Sequence, residues 1–223
     1  DTSFTIEIDI PYEKESLLEA EELIQQQINN AGTIATGEAL TQFDADGRPI
    51  WVDGQKLTTK GQIRKVYQTP YGDVEVMRHI YQSSKGGRGY CPLEYHARII
   101  TTATPKLAKM VSSKYAEMVG THVQKDLAEN HGRPLSKSHI QTISDVVGSV
   151  ASVKEGAWTY AMPALDREVA SVAVGLDGTC MMMCDDGARQ AMVGTIALYD
   201  AEGDRLHTLY TAARPEYGKQ TFL

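Results

Sequence analysis

The chain has 223 residues and is 42% hydrophobic, which is enough to bury a core in one or two domains. No stretch is long and apolar enough to span a bilayer, and the N-terminus lacks a signal-peptide pattern, so we expect a cytoplasmic protein without a membrane partner. Three cysteines, Cys91, Cys180 and Cys184, are too few for a conventional disulfide framework.

The net charge of −7 argues at first against a nucleic-acid partner, but the charge is unevenly distributed. Residues 1–54 carry 12 acidic and 2 basic side chains, a net charge of −10. Residues 55–98 carry 8 basic and 3 acidic side chains, a net charge of +5, and residues 105–155 carry 7 and 5, a net charge of +2. Residues 156–223 carry 5 basic and 9 acidic side chains. Because a binding surface is local, the basic middle of the chain matters more than the total.

The first segment, residues 1–55, is acidic and predicts one amphipathic helix, Glu13–Ala31, which Gly32 ends. We interpret this helix as packing on the body of the protein. A homodimer or a larger oligomer formed through it is the alternative. Residues Gly32–Thr59 contain two Asp-Gly turn signals and are expected to be irregular or to form short strands.

Residues 56–103 predict a basic β-hairpin made of Gln62–Thr69 and Val74–Ser83, joined at a Pro-Tyr-Gly-Asp turn. The glycine-rich stretch Ser83–Tyr90 is expected to be a loop tip. A basic surface built on strands can follow a phosphate backbone, whereas the alternative is an edge strand that charge protects from aggregation. The candidate DNA-binding residues here are Arg64, Lys65, Arg78, Lys85 and Arg88.

Residues 104–155 predict helices with clear boundaries. Thr104 precedes Pro105 at a helix start, Gly120 divides the helical run, and a turn at residues 131–134 precedes a last helix over Ser138–Ser152. Ser138 and Gln141 fit a capping box at the start of that helix. Its predicted buried stripe consists of Ile140, Ile143, Val147 and Val150.

Two helices joined by a short turn fit a helix-turn-helix, in which the start of the second helix enters the major groove. Lys137, His139, Gln141 and Thr142 lie at that end, and Arg133 in the turn is a candidate phosphate contact. Glutamine suits an adenine edge, and lysine suits guanine or phosphate. A purely structural helical hairpin is the competing interpretation.

Apolar residues at both parities of Val169–Leu176 predict a strand that is buried on both faces and ends at Asp177. Asp177 and Gly178 taken alone favour a turn. Two further strands, Arg189–Tyr199 and Arg205–Ala212, are predicted on either side of a turn at Asp200–Asp204.

The last part of the chain resembles a known family in the string VGLDGTCMMMCDDGARQAMVGTIALYDAEGDRLHTLY, with PEYGKQTFL after it. The upstream string YGDVEVMRHIYQSSKGGRGYCPLE resembles the same family, the bacterial insertion-sequence transposases of the ISKra group. The resemblance runs from about Lys60 to Leu223.

The resemblance implies an α+β chain in which a helix-turn-helix region and a basic hairpin precede the first three strands of a ribonuclease-H-like domain, residues 165–223. It implies that Asp177 is the first catalytic, metal-binding carboxylate, with the other carboxylates beyond Leu223. It also implies two Mg²⁺ or Mn²⁺ ions in the complete enzyme and double-stranded DNA at transposon ends as partner. Since Asp177 alone should not hold two ions, we expect little nuclease activity from this chain. The alternative is a non-enzymatic DNA-binding regulator derived from a transposase.

Overall fold

The computed structural model describes residues 5–10, 16–183 and 187–213. Within these ranges the protein is an α+β molecule with five helices and two antiparallel sheets. The chain divides into two compact units, Asp1–Trp158 and Thr159–Leu223. Among the described helices, none is long and apolar enough to cross a lipid bilayer.

The first unit contains the five helices and a four-stranded sheet whose strands follow one another in chain order. Its elements are α1 (Leu17–Thr41), β1 (Ile50–Val52), β2 (Gln55–Gln68), β3 (Asp73–Ser83), β4 (Gly86–Tyr90), α2 (Pro92–His96), α3 (Pro105–Glu117), α4 (Gly120–His131) and α5 (Lys137–Gly156). The second unit contains β5 (Ser171–Met183), β6 (Gly187–Tyr199) and β7 (Arg205–Ala213).

One hydrophobic core lies on the face of the four-stranded sheet that α1 and α2 cover. Tyr67 of β2 and Leu93 of α2 are fully buried in it, and Val74 and Val76 of β3 pack beside them. β3 alternates buried and exposed residues along most of its length, as a strand with one covered face does. The predicted hairpin is confirmed. β2 and β3 pair in antiparallel register, from Gln68 opposite Asp73 beside the turn to Thr58 opposite Gln82.

The helix α1 continues to Thr41, so the prediction that it ends at Ala31 is wrong. Gly32 lies inside the helix, where an added Cβ atom would approach Cγ of Tyr71 to 2.5 Å. The glycine therefore allows the helix to approach the turn between β2 and β3, and it does not act as a stop signal. At the other end, the Ser16 hydroxyl accepts a hydrogen bond from the Glu19 amide at 3.3 Å, and Glu13 lies outside the described residues.

Residues 50–59 form strands, an alternative that the sequence left open, and the predicted loop tip Ser83–Tyr90 forms a strand as well. Residues 50–59 form β1 and the first part of β2, which meet at the Asp53–Gly54 turn. Both turn residues have positive φ, 47° and 74°, as a tight two-residue hairpin requires. The predicted loop tip Ser83–Tyr90 contains β4, because its backbone pairs with β3 despite the glycines.

A second core is formed by α3, α4 and α5, whose starts at Pro105, Gly120 and Lys137 lie close to the predicted boundaries. The N-cap of α5 is Ser136, whose hydroxyl accepts from the His139 amide at 3.2 Å, and not Ser138 as predicted. Val147 is partly buried against this core but Val150 is 51% exposed, so the buried stripe of α5 ends at Val147. The buried core side chains are Ala103, Leu107, Ala108, Val111, Val123, Leu127, Leu135, Ile140 and Ile143.

The second unit is a three-stranded antiparallel meander in the order β5-β6-β7. Its predicted turn between β6 and β7 is confirmed: Oδ1 of Asp200 accepts hydrogen bonds from the amides of Glu202 and Asp204, at 3.1 and 2.8 Å. The other carboxylate oxygen of Asp200 forms an ion pair with Arg167.

The strand β5 is exposed and lies at the edge of this sheet, so the prediction of a strand buried on both faces is wrong. Val172, Val174 and Leu176 are 56%, 67% and 54% exposed. The strand also continues past Asp177 and Gly178, pairing with β6 as far as Met183, so these two residues form neither a strand end nor a turn. An apolar pattern indicates that a strand can be buried, but burial also needs a helix or a second sheet packed on it. The described part of this unit is a single sheet.

Candidate nucleic-acid interface

The turn between α4 and α5 is fixed at its start by the conformation of Gly132 and at its end by the burial of Leu135. These two features set the direction in which α5 starts. Gly132 ends α4 with the left-handed conformation φ 61°, ψ 27°, which glycine adopts without strain. Leu135 is buried in the helical core, and its carbonyl accepts a hydrogen bond from Nε2 of Gln124 at 2.8 Å. The residues that lead into α5 are therefore anchored to α4.

The first two turns of α5 present polar side chains to solvent. Lys137 and Gln141 lie one helical turn apart, and Ser138 and Thr142 do the same beside them. These four side chains are exposed. Lys137 and Gln141 also line an open hollow of about 540 Å³ with the end of α3 and the start of α4. Three of the four predicted contacts in this helix thus lie together on one surface.

Gln141 is already engaged in two hydrogen bonds within the protein. Its Oε1 accepts from the hydroxyl of Tyr115 at 2.7 Å, and its Nε2 donates to Oδ1 of Asp145 at 3.2 Å. These bonds orient the amide, and each group keeps further capacity, since the oxygen can accept a second hydrogen bond and the NH₂ group can donate one. The hydroxyl of Thr142 donates to the carbonyl of Ser138 at 2.9 Å, which leaves its oxygen able to accept.

His139 is half-buried and points away from the exposed Lys137 surface. Burial holds the pKa of His139 below its ordinary value, and the carboxylate of Asp73 only partly opposes this shift. Its Nε2 atom is buried and has no hydrogen-bond partner among the described residues. The lowered pKa disfavours the charged imidazole, and the contact of His139 with DNA stays a prediction.

Arg133 is a buried structural residue, which corrects its prediction as a phosphate contact. Its side chain is 8% exposed and forms an ion pair with Asp73 at the start of β3. The pair joins the α4–α5 turn to the four-stranded sheet. The guanidinium is thus occupied inside the unit and is not presented to a ligand.

Arg78 is also buried, with its side chain 10% exposed, so its prediction as a DNA contact is corrected in the same way. Its Nη1 atom lies 3.4 Å from Oε1 of Glu94, which also accepts a hydrogen bond from the Tyr67 hydroxyl at 3.0 Å. Burial, followed by the negative charge of Glu94, raises the pKa of Tyr67 above its ordinary value. The three side chains form a polar network under α2.

Among the other cations predicted in this region, Arg64, Lys85 and Arg88 are exposed and Lys65 is half-buried. Arg64 lies on β2 with its Nη1 atom 3.5 Å from Oε1 of Glu75, a weak surface pair. Lys65 follows it, Lys85 lies in the β3–β4 turn, and Arg88 lies on β4. These four residues remain available to a phosphate backbone.

Two exposed lysines on α3 were not among the sequence candidates. Lys106 and Lys109 lie one turn apart and line a hollow of about 340 Å³ with Lys114. Lys114 is paired with Asp126 at 2.6 Å, whereas Lys106 and Lys109 have no ion-pair partner among the described residues. Their spacing of three residues was the signal that could have identified them.

Asp177 lies in the middle of β5, with its side chain exposed. Its Oδ1 atom accepts a hydrogen bond from the amide of Gly178 at 2.8 Å. Directly across the sheet are Val193 in β6 and then Ala212 in β7, both apolar. The described residues also contain no group of three His, Cys, Asp or Glu side chains that could hold a metal ion. A two-ion magnesium site needs several carboxylates, so the residues around Asp177 do not fit one by themselves.

Comparison with models of known protein families gives no match for this chain, and comparison with curated protein sequences gives no significant match.

Proposed function

We propose that this chain binds double-stranded DNA through the N-terminal end of α5. The observation that carries the proposal is the shared exposed surface of Lys137, Gln141 and Thr142 at the start of a helix whose other face is buried. A helix N-terminus carries partial positive charge, and Lys137 adds a full one, so this end attracts phosphate. The amide of Gln141 supplies a donor and an acceptor for a base edge.

The other cations of the proposed interface supply its electrostatic part. Lys106 and Lys109 are exposed on α3, the helix that shares a hydrophobic core with α5. Arg64, Lys65, Lys85 and Arg88 lie on the four-stranded sheet of the same unit. Contacts of this kind position a protein on the duplex without reading its sequence.

We further propose that the DNA-binding unit belongs to an insertion-sequence transposase with a ribonuclease-H-like second unit. The support is the string resemblance together with the β5-β6-β7 meander that carries Asp177 on its first strand. No catalytic step is assigned to Asp177, because its cross-strand neighbours are apolar.

Those apolar neighbours favour a second candidate function, a DNA-binding regulator without nuclease activity. Nicking of supercoiled plasmid in Mg²⁺ or Mn²⁺ tests whether the chain itself is a nuclease. We expect the 223-residue chain to bind the plasmid without nicking it, because one exposed carboxylate does not hold two ions. Metal-dependent nicking that Asp177→Asn abolishes would show that the chain is itself a nuclease.

DNA binding is tested by replacing Lys137 with alanine in the full chain. We expect the affinity for a 30-base-pair duplex to fall several-fold, and the slope of log affinity against log salt to decrease by about 1, because one phosphate contact is lost. Fluorescence anisotropy at several salt concentrations measures both quantities.

Lys154→Ala is the matched control, because it removes the same charge near the other end of α5, about 26 Å away by helix rise. Both lysines are exposed. Equal losses for the two variants would mean that binding follows the overall charge, and the assignment to the α5 start would be wrong.

A further inference from the structure

An aromatic groove on the first unit is not used by the proposed DNA interface. Its volume is about 550 Å³, and it lies between β1 and the segment that joins β4 to α2. Trp51 of β1 is 70% exposed, and Tyr95 of α2 is 69% exposed. Two large aromatic side chains displayed to this degree make a surface that is suited to a ligand.

The aromatic rings of the groove contact one another on the α2 side. The ring centroids of Tyr90 and Tyr95 lie 5.8 Å apart, and those of Tyr95 and His96 lie 5.5 Å apart with nearly perpendicular planes. Pro92, which begins α2, is buried and lines the same groove. Because Tyr95 packs against both neighbours, its ring is held in place before any ligand arrives.

The charges that line the groove are negative. The groove contains Asp53 and Asp44 and no lysine or arginine. Asp44 is satisfied by His79, whose Nδ1 lies 2.9 Å from its Oδ2, but Asp53 has no ion-pair partner among the described residues. The Asp53 carboxylate lies close enough to contribute to the raised pKa of Tyr90, after the larger effect of burial.

We propose that this groove binds a positively charged side chain, arginine in the first place, carried by a basic peptide segment of a partner protein. A guanidinium stacks on the faces of Trp51 and Tyr95 and pairs with the free carboxylate of Asp53. The acidic composition of residues 1–54, with 12 acidic and 2 basic side chains, attracts such a segment over a longer range.

A stacked nucleotide base is the competing occupant of an aromatic surface. Its phosphates would meet the carboxylates of Asp44 and Asp53, and the groove lining has no lysine or arginine to offset them. Lys56 is the cross-strand partner of Trp51 but does not line the groove. Charge complementarity therefore selects the cationic peptide.

Trp51 can report its own ligand, because the chain has two tryptophans and the other can be replaced. In the Trp158→Phe background, the full chain is titrated with acetyl-Gly-Arg-Gly-Arg-Gly-amide and with the same peptide containing citrulline, which is neutral and nearly isosteric. We expect a saturable change in Trp51 fluorescence with the arginine peptide, and at least about tenfold weaker binding of the citrulline peptide.

Two variants of the groove and one control complete the test. We expect Tyr95→Ala to weaken arginine-peptide binding about tenfold and Asp53→Asn to weaken it about fivefold. Tyr210→Ala removes a tyrosine that is 72% exposed but lies in the second unit, and it should leave binding unchanged. Far-UV circular dichroism confirms that each variant is folded.

Three results would overturn the proposal. They are equal binding of the arginine and citrulline peptides, the absence of any saturable change, and saturation by oligothymidylate in place of the arginine peptide. The last result would assign the groove to nucleic acid.

Discussion

Replacing Ile140 by alanine is expected to lower the free energy of unfolding by about 3 kcal/mol, within the range for large-to-small changes in a packed core. Ile140 is fully buried where α3, α4 and α5 meet, so the removed atoms leave a cavity that three helices must collapse to fill. Urea unfolding followed by far-UV circular dichroism measures the change.

Val150→Ala is the matched control on the same helix, since its side chain is 51% exposed. Its cost should be below about 0.5 kcal/mol. The sequence pattern alone predicted that both residues belong to the same buried stripe. An equal decrease in the free energy of unfolding for the two variants would support the predicted stripe and contradict the packing described for α5.

The ion pair between Asp73 and Arg133 is expected to respond unequally to the loss of each partner. Asp73→Ala leaves the Arg133 guanidinium buried, with its side chain 8% exposed and its Nε atom already without a hydrogen-bond partner among the described residues. An uncompensated buried charge costs about 3 kcal/mol or more. Arg133→Met leaves a carboxylate that is 53% exposed and that water can solvate, so its cost should be about 1 kcal/mol.

Thermal or urea unfolding of the two variants measures this asymmetry. Glu75→Ala is the control, because it breaks the exposed pair with Arg64 and should cost less than about 0.5 kcal/mol. If Arg133→Met were the more damaging change, the packing of the arginine stem would contribute more to stability than the pairing of its charge.

The elements that the sequence predicted well are those with local signals. The α3 start rests on Pro105, the α4 start on Gly120, and the end of α4 on Gly132. The hairpin of β2 and β3 rests on its turn residues and on alternation. Each of these signals acts over a few neighbouring residues, so no knowledge of the rest of the fold is needed.

The errors have a common cause in contacts that are distant along the chain. Gly32 does not stop α1, because Tyr71 packs against it. A cation in a basic region is expected at the surface, but Arg133 is buried and pairs with Asp73. That partner lies 60 residues away in sequence, so a local pattern does not reveal it. Local patterns do not encode which carboxylate a buried arginine meets.

The candidate site was predicted in part for the same reason. Periodicity alone places Lys137 and Gln141 one helical turn apart, and the structure exposes both of them and Thr142 beside Gln141. The groove around Trp51 and Tyr95 was missed, because it joins residues from β1 and α2 that are far apart in sequence. The position of Asp177 within β5 was missed as well, because Asp-Gly is a strong turn signal.

The proposed DNA interface is tested most directly by selecting preferred sites from a pool of random duplexes with the full chain and with Gln141→Ala. We predict that the wild-type chain enriches a defined sequence, and that the variant loses preference at one base pair while keeping the rest. Enrichment of the same sequence by both proteins, or of none by the wild-type chain, would contradict DNA reading by the start of α5.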